Sequence, residues 1–113
     1  MYQPQHSRPM AGEYVFAYEI TIENNSTNTI KLLKRNWNII DSLGVHRFVE
    51  GDGVVGRQPT LEPGDKHAYI SGCHLNASFG KMFGTYTMLK LMDDTELDVE
   101  IPIFYLEAPI YLN

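Results

Sequence analysis

Apolar residues alternate with polar ones along most of the chain, which is the pattern of β-strands with one buried face. In the first such segment, Tyr14 to Glu23, every second residue is large and apolar. Similar short segments follow, separated by turn-forming residues such as Pro63-Gly64. No segment of about ten residues has the spacing of an amphipathic helix, so the sequence predicts an all-β sandwich or barrel.

The second predicted strand changes phase along its length. Ile30 and Leu32 fall in one phase of the alternation, and Leu33, Trp37 and Ile39 fall in the other. A β-bulge near Leu32 and Leu33 would bring both sets to the same face, because a bulge adds one unpaired residue to a strand. Trp37 is then predicted to anchor the core.

The last two predicted strands, 81–92 and 95–105, meet at the turn Asp93-Asp94. In the final strand the carboxylates of Glu96, Asp98 and Glu100 are predicted to face water. The opposite phase is predicted to face the core, and it contains Leu97, Val99, Ile101, Ile103 and Tyr105.

Length and composition favour a single small domain. The chain has 113 residues, of which 43% are hydrophobic, enough for a core without disulfide or metal staples. Residues 1–12 lack a periodic apolar pattern and are interpreted as a lead-in. The folded domain is expected to cover 13–107, followed by a tail over 108–113.

Charge and cysteine content limit the partners and the compartment. The formal net charge is -5 and the nine Lys and Arg residues are scattered, so duplex nucleic acid is not an expected partner. The single Cys73 cannot form an internal disulfide, and no signal peptide or membrane-spanning apolar run is present. A cytoplasmic protein without membrane association is expected.

A glycine-rich segment, Gly51-Asp52-Gly53-Val54-Val55-Gly56, matches the pattern G-x-G-x-x-G of dinucleotide-binding loops. No helix follows it, because Pro59 and the strand-like context argue against a βαβ unit, so the pattern does not predict a Rossmann site. Two interpretations remain open. The loop could bind phosphate through backbone N–H groups, with Gly51, Gly53, Gly56 and Arg57 as the binding residues and Arg47 as a further cation. Alternatively, the glycines form a tight turn, which the negative charge of Asp52 favours.

Other chemistry-bearing residues do not form a recognisable site. His67, Cys73 and His74 offer metal-ligand atoms, but in a strand His74 points away from the other two. The acidic residues at positions 96, 98 and 100 spread over about 13 Å, too far for one ion. No catalytic spacing is present either, so the sequence predicts no enzymatic activity, no metal site and no cofactor.

A longer segment resembles a known family. The stretch GDGVVGRQPTLEPG, residues 51–64, resembles the signature of the bacterial ApaG family. Further segments similar to this family are 16–24, 35–37, 69–73, 80–86 and 101–104. The resemblance extends from about Tyr2 to Leu106, which is most of the chain.

The resemblance implies a fibronectin type III-like, immunoglobulin-like antiparallel β-sandwich. It also implies an association with magnesium and cobalt homeostasis, including cobalt resistance, and a role as a protein-interaction module. We therefore expect a non-enzymatic binding module with an unknown protein partner. The alternative is a nucleotide or pyrophosphate binder with weak phosphohydrolase activity, acting through the glycine-rich loop.

The chain departs from the family pattern in two places. His67 stands where the family usually has an aromatic residue, and its ring is expected to take the same inward place. Tyr2 resembles a position beyond the family's Val-rich first strand, so that strand is expected to be missing, through truncation or because this member does without it. An open sheet edge would result. Homo-oligomers could then form by edge pairing or through the tail, whose apolar residues are Ile110, Tyr111 and Leu112.

Overall fold

The computed structural model describes residues 1–109, which form two antiparallel β-sheets packed face to face. Two 3-10 turns, Pro4–His6 and Pro9–Ala11, precede the first strand. The strands are β1 (Tyr14–Glu23), β2 (Ile30–Asp41), β3 (His46–Asp52), β4 (Thr60–Leu61), β5 (Lys66–Leu75), β6 (Phe79–Lys90) and β7 (Thr95–Glu107). The predicted all-β, fibronectin type III-like sandwich is confirmed.

The two sheets differ in width. The smaller sheet pairs β1 with β5, and the larger sheet has the order β3-β2-β6-β7. The short strand β4 pairs with the first residues of β2, on the same side of that strand as β3. The inward-facing β7 residues Leu97 and Val99 are 40% and 38% exposed, so the smaller sheet does not cover this end of the larger one.

Trp37 occupies the centre of the core between the sheets. Its side chain is 2% exposed. The indole ring packs edge-on against Tyr18 of the smaller sheet and against Tyr86 and Phe104 of the larger one, with ring centroids 5.8, 6.3 and 5.7 Å away. The predicted core anchor is therefore confirmed.

A bulge in β2 explains its change of phase. The register between β2 and β6 shifts between Leu32 and Lys34, which makes Leu33 the extra residue. Leu32 and Trp37 are consequently both buried although they are an odd number of positions apart. The bulge lies where the alternation predicts it.

A second bulge, in β7, makes part of the predicted core wrong. Two β7 residues, Pro102 and Ile103, stand opposite the single Phe83 of β6. The phase therefore reverses, and Ile103 and Tyr105 are 51% and 63% exposed. Phe104 and Leu106 turn inward instead. Pro102 suits this position because proline cannot donate a ladder hydrogen bond.

The beginning of the chain adds a short strand-like segment to the smaller sheet. Ala17 donates its backbone N–H to the Met1 carbonyl, and Gln3 donates its N–H to the Val15 carbonyl, both at 2.8 Å. The Tyr2 ring packs against Phe16, with centroids 5.6 Å apart. Among residues 1–109, no strand pairs with this side of β1 beyond Ala17. The tail residues 110–113 lie outside the described part of the chain.

Candidate functional site

The glycine-rich loop connects β3 to β4 and ends in a tight turn. Val54 and Arg57 exchange two backbone hydrogen bonds, of 2.8 and 3.0 Å, around Val55 and Gly56. Both central residues have positive φ, 48° and 75°, as in a type I′ turn. Val55 is an unfavourable residue there because its β-branched side chain opposes that backbone conformation.

Most backbone N–H groups around this turn are already used. Gly53 donates to the Leu33 carbonyl at 2.8 Å, and the N–H groups of Val54 and Arg57 donate to each other's carbonyls. Among residues 1–109, Val55 and Gly56 at the tip keep backbone N–H groups without a hydrogen-bond partner. An anion bound at this loop would therefore have to accept its hydrogen bonds from the N–H groups at the tip and from the Arg57 side chain. Phosphate binding by Gly51, Gly53, Gly56 and Arg57 stays a prediction.

Arg35 explains why a glycine stands at position 51. The two residues are cross-strand neighbours, and a Cβ at Gly51 would lie 2.8 Å from a guanidinium nitrogen of Arg35. The guanidinium donates from Nη1 to the carbonyls of Asp52 and Gly53, at 3.0 Å each. Sequence reasoning missed this role, although the resemblance includes the segment 35–37.

A groove of about 210 Å³ separates the turn from β5. Val54, Val55 and Arg57 line one side, and His67 and Tyr69 line the other. The His67 and Tyr69 rings are stacked with centroids 6.4 Å apart, so His67 shares the phase of the aromatic residue that follows it. The groove combines one cation with a histidine and an aromatic wall, which suits a small anion or a flat ligand.

A tyrosine pair joins the two sheets beside this groove. The hydroxyl groups of Tyr69 and Tyr86 are hydrogen-bonded to each other. Burial raises the pKa of Tyr69 to about 12, and burial also raises the pKa of Tyr86, with a further increase from Tyr69. The pKa of Tyr18 is raised by burial too, which outweighs its hydrogen bond with Ser71. These groups stay neutral at physiological pH.

The metal-ligand residues of β5 are dispersed by the fold. Cys73 is buried, and burial raises the pKa of its thiol although the nearby Arg47 guanidinium, 3.8 Å from Sγ, opposes the increase. Arg47 also donates to the His74 carbonyl, so this guanidinium is fixed at the start of β3 rather than beside the glycine-rich loop. No group of three or more His, Cys, Asp or Glu side chains within residues 1–109 is placed to hold a metal ion.

The outer face of the larger sheet carries a second candidate surface. Cross-strand neighbours place Phe48 and Phe83 on either side of Asn38, and the β7 bulge lies next to Phe83. The rings of Phe79 and Tyr105 stack with centroids 5.8 Å apart and planes 18° apart. We call this surface the outer aromatic face, and it consists of Phe48, Phe79, Phe83, Ile103 and Tyr105.

Exposure distinguishes the outer aromatic face from the rest of the surface. Phe48 is 62% exposed and Phe79 is 39% exposed, in addition to the two β7 residues turned outward by the bulge. Clusters of exposed apolar side chains on small proteins often mark interaction sites. One border is acidic, because Glu50 and Glu100 lie in the next cross-strand row. Sequence reasoning missed this surface because it assigned Ile103 and Tyr105 to the core.

Comparison with known proteins establishes the family. The family model of the ApaG domain matches residues 4–90. This chain belongs to the ApaG family. Protein ApaG of Brucella abortus (strain S19) is 45% identical over 108 residues, covering 96% of this chain and 82% of that protein. Protein ApaG of Methylobacterium radiotolerans is 44% identical over 105 residues, covering 93% of this chain and 80% of the relative.

Solved structures agree with the ApaG assignment. The crystal structure of the putative ApaA protein from Bordetella pertussis superposes with a TM-score of 0.90 at 38% identity, covering 96% of this chain and 87% of that one. A protein from Archaeoglobus fulgidus, with a TM-score of 0.56 and 11% identity, shares the fold alone. Within the described residues, no helix has the length and apolar character needed to cross a membrane.

Proposed function

We propose that this ApaG-family chain is a non-enzymatic binding module that recognises a protein partner through its outer aromatic face. The observation that carries the proposal is the exposure of Phe48, Ile103 and Tyr105 on one side of a five-stranded sheet. Aromatic side chains on a rigid sheet provide large contact areas at a low cost in conformational entropy. The β7 bulge supports this role because it turns two apolar residues outward.

The cellular context we propose is divalent-cation homeostasis, with magnesium and cobalt, in the cytoplasm. This context rests on the family resemblance, and the reduced, buried Cys73 is compatible with a reducing compartment. The chain would act on cations through its partner, since its own described residues offer no metal-ligand cluster.

Affinity capture from a lysate of the source cells tests the proposal. The immobilised chain is compared with a variant carrying Phe48→Ser and Tyr105→Ser. A matched control carries Met10→Ser and Met92→Ser, which remove two highly exposed apolar side chains away from the outer aromatic face. We expect the same partner with the wild-type chain and the control, and an at least roughly tenfold reduction with the face variant.

The comparison requires that both variants are folded and as stable as the wild-type chain, so the thermal unfolding of each variant is measured first. Equal capture of the partner by the face variant and the wild-type chain would contradict the proposal.

A cobalt-sensitivity assay of cells that carry the face variant in place of the wild-type chain tests the cellular context. We expect these cells to be as sensitive to cobalt as cells from which the gene for this chain has been deleted.

The second candidate function is binding of a nucleotide or pyrophosphate, with weak phosphohydrolase activity. It is favoured by the groove beside the glycine-rich loop, where Val55, Arg57 and His67 lie together. Isothermal titration with ATP and with pyrophosphate, each with and without magnesium, tests it. Arg57→Ala should abolish any binding, whereas Arg8→Ala, at an exposed arginine outside the groove, should not. Absence of binding would remove this candidate.

A further inference from the structure

The outer aromatic face is higher at its two sides than in its middle. Its most exposed members, Phe48, Ile103 and Tyr105, lie on β3 and β7, which form the two sides of the larger sheet. Between them the central strands β2 and β6 carry Asn38 and Phe83, and both side chains are half-buried. The face therefore forms a shallow trough that runs along the strands.

A row of polar residues crosses this trough next to the aromatic side chains. Asn36 pairs with Glu50 of β3 and with Thr85 of β6, and Thr85 pairs with Glu100 of β7. We call these four residues the acidic row. Its two carboxylates lie on opposite sides of the trough, separated by three strand spacings, which is about 14 Å.

The two carboxylates of the acidic row lack a cation. Both Glu50 and Glu100 are exposed, and neither takes part in an ion pair within residues 1–109. The next row across the sheet differs, because Asp52 has Lys34 as its cross-strand neighbour. A cation supplied by a partner would therefore be attracted most strongly at Glu50 and Glu100.

Negative charge predominates on the whole outer side of the larger sheet. Cross-strand neighbours share one side of a sheet, so the pairing of the strands assigns each charged residue to a side. Six carboxylates lie on the outer side: Glu50, Asp52, Glu96, Asp98, Glu100 and Glu107. Three lysines lie there: Lys31, Lys34 and Lys81. A second copy of this chain would bring the same negative excess, so a basic partner suits the surface better.

The polar groups in the middle of the trough already have hydrogen-bond partners. Asn36 donates from Nδ2 to Thr85 Oγ1 at 3.2 Å, and Asn38 Oδ1 lies 2.9 Å from Nε2 of His46. Burial of a polar group is costly only when it has no such partner. An apolar ligand surface can therefore cover the middle of the trough.

The width of the trough fits one α-helix. A helix with its side chains is about 10–12 Å wide. When it lies along the trough, its apolar stripe contacts Phe48, Phe83 and Ile103. Lysines on both flanks of the stripe can then reach Glu50 and Glu100 with their flexible stems. An extended segment fits less well, because its backbone groups would find no strand edge on this face, whereas a helix pairs its own.

We propose that the outer aromatic face binds a basic amphipathic α-helix of a partner protein. The apolar stripe of the helix packs into the trough, and Lys or Arg residues on both flanks pair with Glu50 and Glu100. This proposal rests on the proposed function, which assigns a protein partner to this face, and it specifies the chemistry of the segment that is bound.

A fluorescein-labelled, amidated peptide of sequence LAQLKAKLAQLKAKLAQL is the probe for this proposal. In a helix its leucines form one stripe, and its lysines flank that stripe on both sides. Fluorescence anisotropy should show binding that is at least about tenfold tighter than that of LAQLEAELAQLEAELAQL, in which glutamates replace the lysines. Equal affinity for the two peptides, or no binding of the basic peptide, would overturn the proposal.

Charge-reversal variants of the chain locate the binding. Glu50→Lys with Glu100→Lys should reverse the preference, so that the acidic peptide binds more tightly. Glu19→Lys with Glu23→Lys is the matched control, because it changes the net charge equally on the outer side of the smaller sheet, and it should keep the wild-type preference. The measurements use about 0.15 M salt, at which charges more than about 8 Å apart are largely screened. An unchanged preference in the first variant would overturn the proposal.

A proline peptide tests the helical conformation. In LAQLKAKLAPLKAKLAQL the proline replaces a glutamine on the side of the helix opposite the stripe, so it breaks the helix without removing a leucine or a lysine. Its affinity for the wild-type chain should be lower by about tenfold or more. Equal affinity of the proline peptide would show that the segment binds in an extended form and would overturn the proposal.

The peptide experiment separates this proposal from the proposed function. Phe48→Ser with Tyr105→Ser should abolish binding of the basic peptide as well as capture of the partner. Capture that depends on these residues, without binding of the basic peptide, overturns the basic helix alone. Peptide binding that depends on them, with unchanged capture, contradicts the proposed function alone. A wild-type dimer in sedimentation equilibrium that this variant disrupts would show that a second copy occupies the face, and would overturn the proposal.

Discussion

Gly53 is the residue of the glycine-rich loop that tolerates substitution least. Its φ is 64°, and a Cβ there would lie 2.2 Å from the Arg57 carbonyl oxygen. Gly56 has a φ of 75° but no atom within 4 Å of the corresponding position. An alanine at position 56 would therefore introduce backbone strain alone, whereas an alanine at position 53 would introduce both backbone strain and steric overlap.

Substitution of each glycine by alanine tests this difference. Gly56→Ala should reduce the free energy of unfolding by about 1 kcal/mol, from positive-φ strain alone. Gly53→Ala should reduce it by clearly more than about 1 kcal/mol, because the Arg57 carbonyl must also move. Urea denaturation measures both. A Gly53→Ala variant that melts like the wild-type chain but no longer binds pyrophosphate would instead favour the anion-binding interpretation.

The Tyr69–Tyr86 pair should make the fold sensitive to high pH. The pKa of Tyr69 rises from 10.0 to about 12 in the folded chain. Between these values the unfolded state loses its proton while the folded state keeps it, so the stability contribution is complete below pH 10 and is lost as pH rises through about 12. Urea denaturation between about pH 9 and pH 11.5 should show a steeper loss of stability for the wild-type chain than for Tyr69→Phe with Tyr86→Phe. Parallel pH profiles would contradict this.

Trp37 reports directly on the packing between the sheets. Trp37→Ala should reduce the free energy of unfolding by about 3–5 kcal/mol, because the cavity would open among Tyr18, Tyr86 and Phe104. Since this is the single tryptophan of the chain, emission of the native protein should be shifted to shorter wavelength than that of free indole in water. Emission like that of free indole would show that the residue is exposed.

At the level of elements, Asn24 links the β1–β2 connection to β4. Its amide nitrogen donates to the carbonyls of Asn28 and Leu61 at 2.8 and 2.9 Å, and its amide oxygen accepts from Ser26. The side chain is buried, so both groups would be costly to leave without a partner.

Asn24→Ala should therefore reduce the free energy of unfolding by about 1–3 kcal/mol. The neighbouring Asn25 is exposed, and Asn25→Ala is the matched control with an expected change within about 0.5 kcal/mol. Chemical denaturation of the three proteins measures the difference. Equal stability of the two variants would show that the Asn24 hydrogen bonds do not hold β4 in place.

The two bulges show which irregularities of a strand can be predicted from the alternation of apolar and polar residues. The β2 bulge is predictable because apolar residues on both sides of Leu33 record the change of phase. The β7 bulge is not, because apolar residues occupy both phases around Pro102 and the alternation continues unbroken through Ile103 and Tyr105. The signal there was Pro102 itself, which is confined to edges and bulges in a sheet.

The candidate sites were less accessible to sequence reasoning than the fold. The glycine pattern locates the loop, but the hydrogen bonds that occupy its backbone depend on Leu33 and Arg35, which are distant along the chain. Likewise, the outer aromatic face forms only when β3, β6 and β7 are brought into register. Pairing between strands determines both features, and a single strand does not reveal it.

On the scale of the whole molecule, the two sheets differ in width. The wider sheet presents the outer aromatic face on one side and leaves the β7 end of its inner face uncovered on the other. A sandwich of equal sheets would bury this uncovered inner face.

Recognition of a protein partner by the outer aromatic face is the central claim, and hydroxyl-radical footprinting of the captured complex tests it most directly. Oxidation of Phe48, Ile103 and Tyr105 is compared between the free chain and the complex, with Met10 and Met92 as exposed reference residues. We predict that oxidation of the first three falls by several-fold in the complex while the reference residues react as before. Unchanged oxidation of Phe48 and Tyr105, with protection elsewhere on the chain, would contradict the claim.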